Sequence, residues 1–118
     1  MQPRLAKVQT RVSGSKVLLA FPERLDSLWA ERQLNRVSEL LQEHQEPEVE
    51  FDMQAVEYVG SSFLQICLMA AKNLKAEGRL LHLTHCNPGV MDVFHQAGTK
   101  SPGLSVTGGT GGGTLLKR

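Results

Sequence analysis

Two short runs near the start of the chain, residues 5–12 with mixed apolar and polar side chains and residues 16–21 with only Lys16 polar, read as strands. The residues between them, Ser13-Gly14-Ser15, form a glycine-bearing connection of the kind that joins antiparallel strands. The pattern then changes. After Pro22 comes a polar loop with Leu25-Asp26-Ser27, followed by 30–43, where Leu34, Val37, Leu40 and Leu41 fall on one face of a helix with Asp26 or Ser27 as its cap. Pro47 stops that helix, and a strand follows over 48–53, where apolar and polar side chains alternate in Val49-Glu50-Phe51-Asp52-Met53. A second helix opens at Ser61 and runs to Glu77, with Phe63, Ile66, Cys67, Ala70, Ala71 and Leu74 at helical spacing and Gly78 just past its end. A strand over 79–85 and a last helix over 88–96 follow, the latter with Pro88 at an early position and Ala97-Gly98 as its stop.

Strand and helix thus alternate three times, which implies βαβ crossovers. The expected fold is α/β in a single domain: a mostly parallel four-stranded sheet with an antiparallel N-terminal edge strand and crossover helices. The domain spans residues 1–99. From Ser101-Pro102-Gly103 through Thr107-Gly108-Gly109-Thr110-Gly111-Gly112-Gly113-Thr114 the composition is too poor in apolar surface to order itself, so 100–118 reads as a flexible, disordered, glycine-rich tail.

At 118 residues with 41% hydrophobic positions the chain is long enough to bury one core. Charge narrows the partners only by exclusion. The 13 Lys+Arg nearly cancel the 12 Asp+Glu, and no run of five like charges occurs, so no nucleic-acid footprint is present. No apolar run approaches the roughly 20 residues that span a bilayer, and the first seven residues lack a signal-peptide core, which points to a cytoplasmic protein without direct membrane insertion. Cys67 and Cys86 have no metal or redox spacing and read as small buried apolar residues in a reduced compartment.

The stretch Glu57-Tyr58-Val59-Gly60-Ser61-Ser62-Phe63 carries the most chemistry, because it parks a serine pair where a strand-like run gives way to a helix. A hydroxyl there can cap free backbone N–H groups, and a phosphate on it would sit where those donors and the helix dipole favour negative charge. Cap and switch both remain open. Other candidates are weaker. His82-Leu83-Thr84-His85-Cys86 suggests a metal, yet residues three apart on a strand face opposite ways; His82 and Cys86 share a face but lack a third ligand, so no metal is expected. Gly60-Ser61-Ser62 is not a G-x-S-x-G elbow, and the tail glycines lack the GK[ST] of a phosphate loop, so no catalytic residue and no cofactor are expected. Trp29 reads as an anchor that docks the first helix, with a recognition role as the alternative.

The segment from Asp52 to Leu64 resembles the signature of the STAS domain family, approximately D-L-S-x-V-x-F-x-D-S-S-G-L. The helix–glycine–strand segment 72–83, the closing segment 87–98 and the loop 21–30 are similar to the family's in the same order, so the resemblance covers about residues 5–98. It implies a STAS-like domain acting as a non-catalytic bacterial anti-sigma factor antagonist. In that role it engages a switch kinase of the anti-sigma type and is phosphorylated on the serine after the motif's aspartate, here Ser61, with Ser62 its neighbour. The partner surface implied by this reading is Asp26, Ser27, Glu57, Gly60, Ser61, Ser62 and Phe63. Gly60 replaces the motif's aspartate and Phe63 its glycine. Phe63 either packs inward or extends an apolar contact surface. The alternative implied by the family is a constitutive adaptor, a subunit of a lipid-transport ABC system or a stressosome-like scaffold, and a homodimer is compatible with both.

Overall fold

The computed structural model describes residues 8–96 and 104–108. The chain opens with the hairpin β1 (Gln9–Ser13) and β2 (Lys16–Ala20), turned at Gly14, whose φ of 61° is the left-handed conformation that glycine adopts without a Cβ clash. Then come β3 (Arg24–Leu25), α1 (Ser27–Glu43), β4 (Glu48–Asp52), β5 (Tyr58–Val59), α2 (Ser61–Ala76), β6 (Leu80–Cys86), α3 (Pro88–Gln96) and β7 (Leu104–Gly108).

The main sheet has the order β1-β2-β4-β6-β7, with β1 antiparallel to β2 and every other pair parallel. This is the expected mostly parallel sheet with an antiparallel edge. Each crossover from β2 onward steps the same way, so the right-handed rule puts all three helices on one face. Burial agrees: Val17 and Leu19, Val49 and Phe51, and Leu81 and Leu83 alternate inward on neighbouring strands and meet Val37, Leu40, Phe63, Cys67, Ala71, Leu74 and Phe94 of the helices. The opposite face is polar. There Lys16 Nζ lies 2.8 Å from Glu50 Oε1, and the Thr84 hydroxyl donates to Glu50 Oε2 at 2.6 Å. Burial opposes the Glu50 charge, but these two bonds outweigh it and hold the carboxyl below its ordinary range.

Three details differ from the sequence reading. First, α1 starts at Ser27 rather than residue 30, because the Asp26 side chain accepts from the Trp29 N–H at 2.9 Å and closes the first turn. Second, a fifth strand, β7, pairs with β6 inside the segment read as tail; Leu104 and Val106 pack against the core, and the ladder to β6 orders residues too few in apolar side chains to order alone. The rest of the expected tail lies outside the described residues, as do residues 5–7 of the first expected strand. Third, β3 and β5 form a separate two-stranded parallel ladder, with Arg24 opposite Tyr58 and Leu25 opposite Val59. This small ladder ties the loop before α1 to the loop before α2.

Two features fix the helix layer. Phe21, Trp29, Phe51 and Phe63 form an aromatic cluster, with Phe21 edge-on to the other three at centroid distances of 5.8, 4.8 and 5.1 Å. Trp29 is 2% exposed, so it is the anchor of α1. At the other end of α1 the buried Arg79 donates to the carbonyls of Leu41, His44 and Glu46 and to Glu77 Oε1. A cation there satisfies acceptors that the helix end leaves open.

Candidate functional site

The loop between β4 and α2 is pinned before it reaches the serine pair. Asp52 Oδ1 accepts from the Gln54 N–H at 3.0 Å, Val56 N–H donates to Met53 O at 3.0 Å, and the Asn87 amide donates to Val56 O at 3.0 Å. The Glu57 and Tyr58 N–H groups both donate to Glu23 O, at 2.8 and 3.1 Å, and Gly60 N–H donates to Leu25 O at 2.9 Å. The start of α2 is therefore held against the start of α1.

Gly60, not a serine, is the N-cap of α2, with φ −87° and ψ 170°. No side chain caps this helix. Ser61 occupies the first helical position and is exposed; Ser62 is half-buried beside it. The capping role that the sequence allowed for the serine pair is thus not taken up. The contrast with the other helices is direct, since Asp26 caps α1 and the Asn87 side chain accepts from the Val90 N–H of α3 at 2.8 Å.

Of the seven residues expected to form a partner surface, Asp26, Ser27, Gly60, Ser61 and Ser62 come together where α1 and α2 begin. Glu57 is exposed on the adjoining β5 loop. Phe63 does not belong with them. Its ring is fully buried in the aromatic cluster, so the expectation of an outward contact is corrected in favour of the inward one. Ser27 and Ser62 also mark one end of an open groove of about 680 Å³ between α1 and α2, along which Leu34, Ile66 and Met69 lie.

Two side chains that sequence reasoning did not single out complete the surface. Tyr58 is 45% exposed, and the Arg24 guanidinium sits 4.7 Å from its ring centroid. Arg24 Nε is also 3.8 Å from Asp26 Oδ2. The contact with Asp26 is local, but the one with Tyr58 spans 34 residues of sequence. Only the β3–β5 register, which no short motif reports, sets Arg24 opposite Tyr58.

The His82–Cys86 segment assembles no metal site. His82 Nδ1 is 2.7 Å from Ser105 Oγ, and His85 Nδ1 is 3.1 Å from Asp52 Oδ1. His85 has a φ of 59°, and the β6–β7 register shifts between Leu83 and Cys86, which breaks the alternation. Cys86 therefore turns into the core near Cys67 instead of sharing a face with His82. Burial pushes the Cys86 thiol up to about 11 and pushes the Cys67 thiol well above its ordinary value, so both stay protonated. Among the described residues no group of three or more His, Cys, Asp or Glu side chains is placed to hold a metal ion, and no helix is long and apolar enough to cross a membrane.

A family model described as "Mlab, STAS domain" matches residues 8–106. Among solved structures, an anti-sigma-factor antagonist (STAS) domain protein from Planctomyces limnophilus superposes with a TM-score of 0.76 at 20% identity, covering 86% of this chain and 91% of that one. A serine-to-glutamate variant of RsbS from Moorella thermoacetica gives 0.68 at 16% identity, covering 86% of each. The phosphorylated form of the Bacillus cell fate determinant SpoIIAA gives 0.63 at 18%, covering 84% of this chain and 89% of that one. At these identities the likeness speaks for the fold alone. No curated protein matches the sequence.

Proposed function

The chain belongs to the STAS domain family, and from that premise we propose that it is a non-catalytic, cytoplasmic regulatory module that binds a protein partner and is switched by phosphorylation of Ser61. One observation carries this reading. Ser61 is exposed at the first position of α2 while Gly60 serves as the cap, so its hydroxyl has no structural task to give up. A kinase that acts on it moves the γ-phosphoryl of a nucleoside triphosphate to Ser61 Oγ: the Oγ–P bond forms, the bond to the nucleoside diphosphate breaks, and the hydroxyl proton leaves to solvent.

The physical effect is large for so small a change. Close to two negative charges arrive at a helix start whose first N–H groups accept them well, while the same charge repels an acidic partner surface. The anti-sigma factor antagonists with a similar fold suggest the kind of partner, a switch kinase of the anti-sigma type. Binding of that partner is the test. Ser61→Asp is expected to weaken the complex at least tenfold and Ser61→Ala to leave it intact, with Ser62→Ala as the control; equal affinity of the Asp and Ala forms removes the switch.

A second reading has its own support. Gly60 stands where the family motif has an aspartate, and the matching family model names Mlab. Both favour a constitutive adaptor, such as the STAS subunit of a lipid-transport ABC system. On that reading the same surface docks a transporter subunit and the Asp and Ala variants bind alike.

A further inference from the structure

Arg24 makes contacts that the switch reading leaves unexplained. Its guanidinium covers the Tyr58 ring at 4.7 Å, and its Nε faces Asp26 Oδ2 at 3.8 Å. Both contacts are weak because they are exposed. The Arg24 side chain is 65% exposed, so the ion pair is screened by water and worth little. The Tyr58 ring in turn closes on the start of α2, with Cε2 3.6 Å from where a β-carbon on Gly60 would stand, and Asp26 Cα is 3.5 Å from the same point. Ser61 is the next residue. Arg24 thus sits on the strand paired with the one that leads into Ser61, and its exposed guanidinium is held by two weak interactions.

We propose that Arg24 is the positioning residue of this site: it stacks on Tyr58 while Ser61 is unmodified and turns to pair with a phosphate carried by Ser61. The biological use of this pairing rests on the phosphoswitch reading, whereas the pairing itself does not. A planar guanidinium matches phosphate oxygens through two parallel charge-assisted bonds, which are stronger than cation–π contact on an exposed ring or an ion pair at the distance seen here. Nothing structural holds Arg24 back. Asp26 keeps its capping bond to the Trp29 N–H through its other oxygen, so α1 stays closed when the guanidinium leaves. Phosphorylation then alters more than one side chain: Tyr58 loses its cationic cover, Asp26 loses a neighbour, and the new dianion is part-neutralised from the β3 side. A partner that reads the unmodified surface meets a changed aromatic as well as a changed charge.

The test needs no kinase, because phosphoserine is installed at position 61 of the full chain by genetic encoding. Titration followed by 31P NMR gives the second pKa of that phosphate, and the Tyr58 ring protons report the guanidinium. The pKa is expected to lie about half a unit or more lower with Arg24 present than in Arg24→Gln, with Arg24→Lys between them. The Tyr58 resonances of the phosphorylated chain are expected to approach those of unmodified Arg24→Gln. Equal pKa values in the two backgrounds, or Tyr58 resonances that the phosphate leaves unmoved, overturn the proposal. Since the Arg24 side chain is exposed, its variants keep the core, and matching amide spectra verify that they fold. The two ideas fail separately: absence of phosphate on Ser61 in the native host removes the switch and leaves this pairing measurable, whereas equal pKa values remove the role of Arg24 and leave the switch standing.

Discussion

Helices α1 and α2 begin side by side, yet one start is closed by a side chain and the other is left open. Asp26 reaches back to the Trp29 N–H and seals α1, while α2 begins at Gly60 with no side-chain bond at all. Both starts carry an exposed serine at the first helical position, Ser27 in one and Ser61 in the other. The difference separates two jobs that a helix-start serine can have. At α1 the adjacent carboxylate does the capping; at α2 nothing does, and stability comes instead from Phe63, two residues further on, locked among Phe21, Trp29 and Phe51. The open start is affordable because its first turn is anchored from inside.

The expected mutational effects follow from this difference between the two helix starts. The largest is Phe63→Ala, which removes a fully buried ring and should cost about 3–5 kcal/mol in denaturant unfolding; a loss under about 1 kcal/mol would mean that α2 is not anchored there. Next is Asp26→Ala, expected to cost about 1 kcal/mol by thermal melting, since it opens the capped helix. Gly60→Asp runs the other way. The backbone at 60 suits any residue, and a β-carbon meets only ordinary contacts of 3.4–3.6 Å, so adding a capping carboxylate should stabilise by a few tenths to about 1 kcal/mol. Destabilisation beyond that range would show that glycine itself is required. Smallest is Ser61→Ala, expected to shift stability by no more than about 0.5 kcal/mol, because the hydroxyl is exposed and caps nothing. A cost equal to that of Asp26→Ala would return Ser61 to a structural role.

Much of this architecture is legible in the order of residues. Helical spacing placed α1 and α2 and alternation placed β4, because each buries one face against a common core and must repeat its apolar side chains accordingly. The glycine and proline signals around them placed β2, β6 and α3. What periodicity cannot carry is pairing. β3 and β5 are two residues each, too short for any repeat, and they exist because Arg24-Leu25 and Tyr58-Val59 lie against one another. β7 is ordered by β6, not by its own composition. The same limit applies at the site. The motif from Asp52 to Leu64 pointed to Ser61, but whether that serine caps or stands open depends on the backbone of Gly60, and the Arg24–Tyr58 stack depends on a register between segments more than thirty residues apart. His85 shows how local geometry defeats a pattern: one left-handed residue at a strand irregularity sends Cys86 inward and dissolves the face it was expected to share with His82.

Whether the open start of α2 exists to be modified is decided by intact-mass analysis of the protein from its native host, with peptide mapping across residues 52–72. An added phosphate is expected on Ser61 under some growth or stress condition. A chain that stays unmodified at Ser61 under every condition, or carries phosphate on Ser62 instead, contradicts it and leaves the constitutive adaptor as the better description.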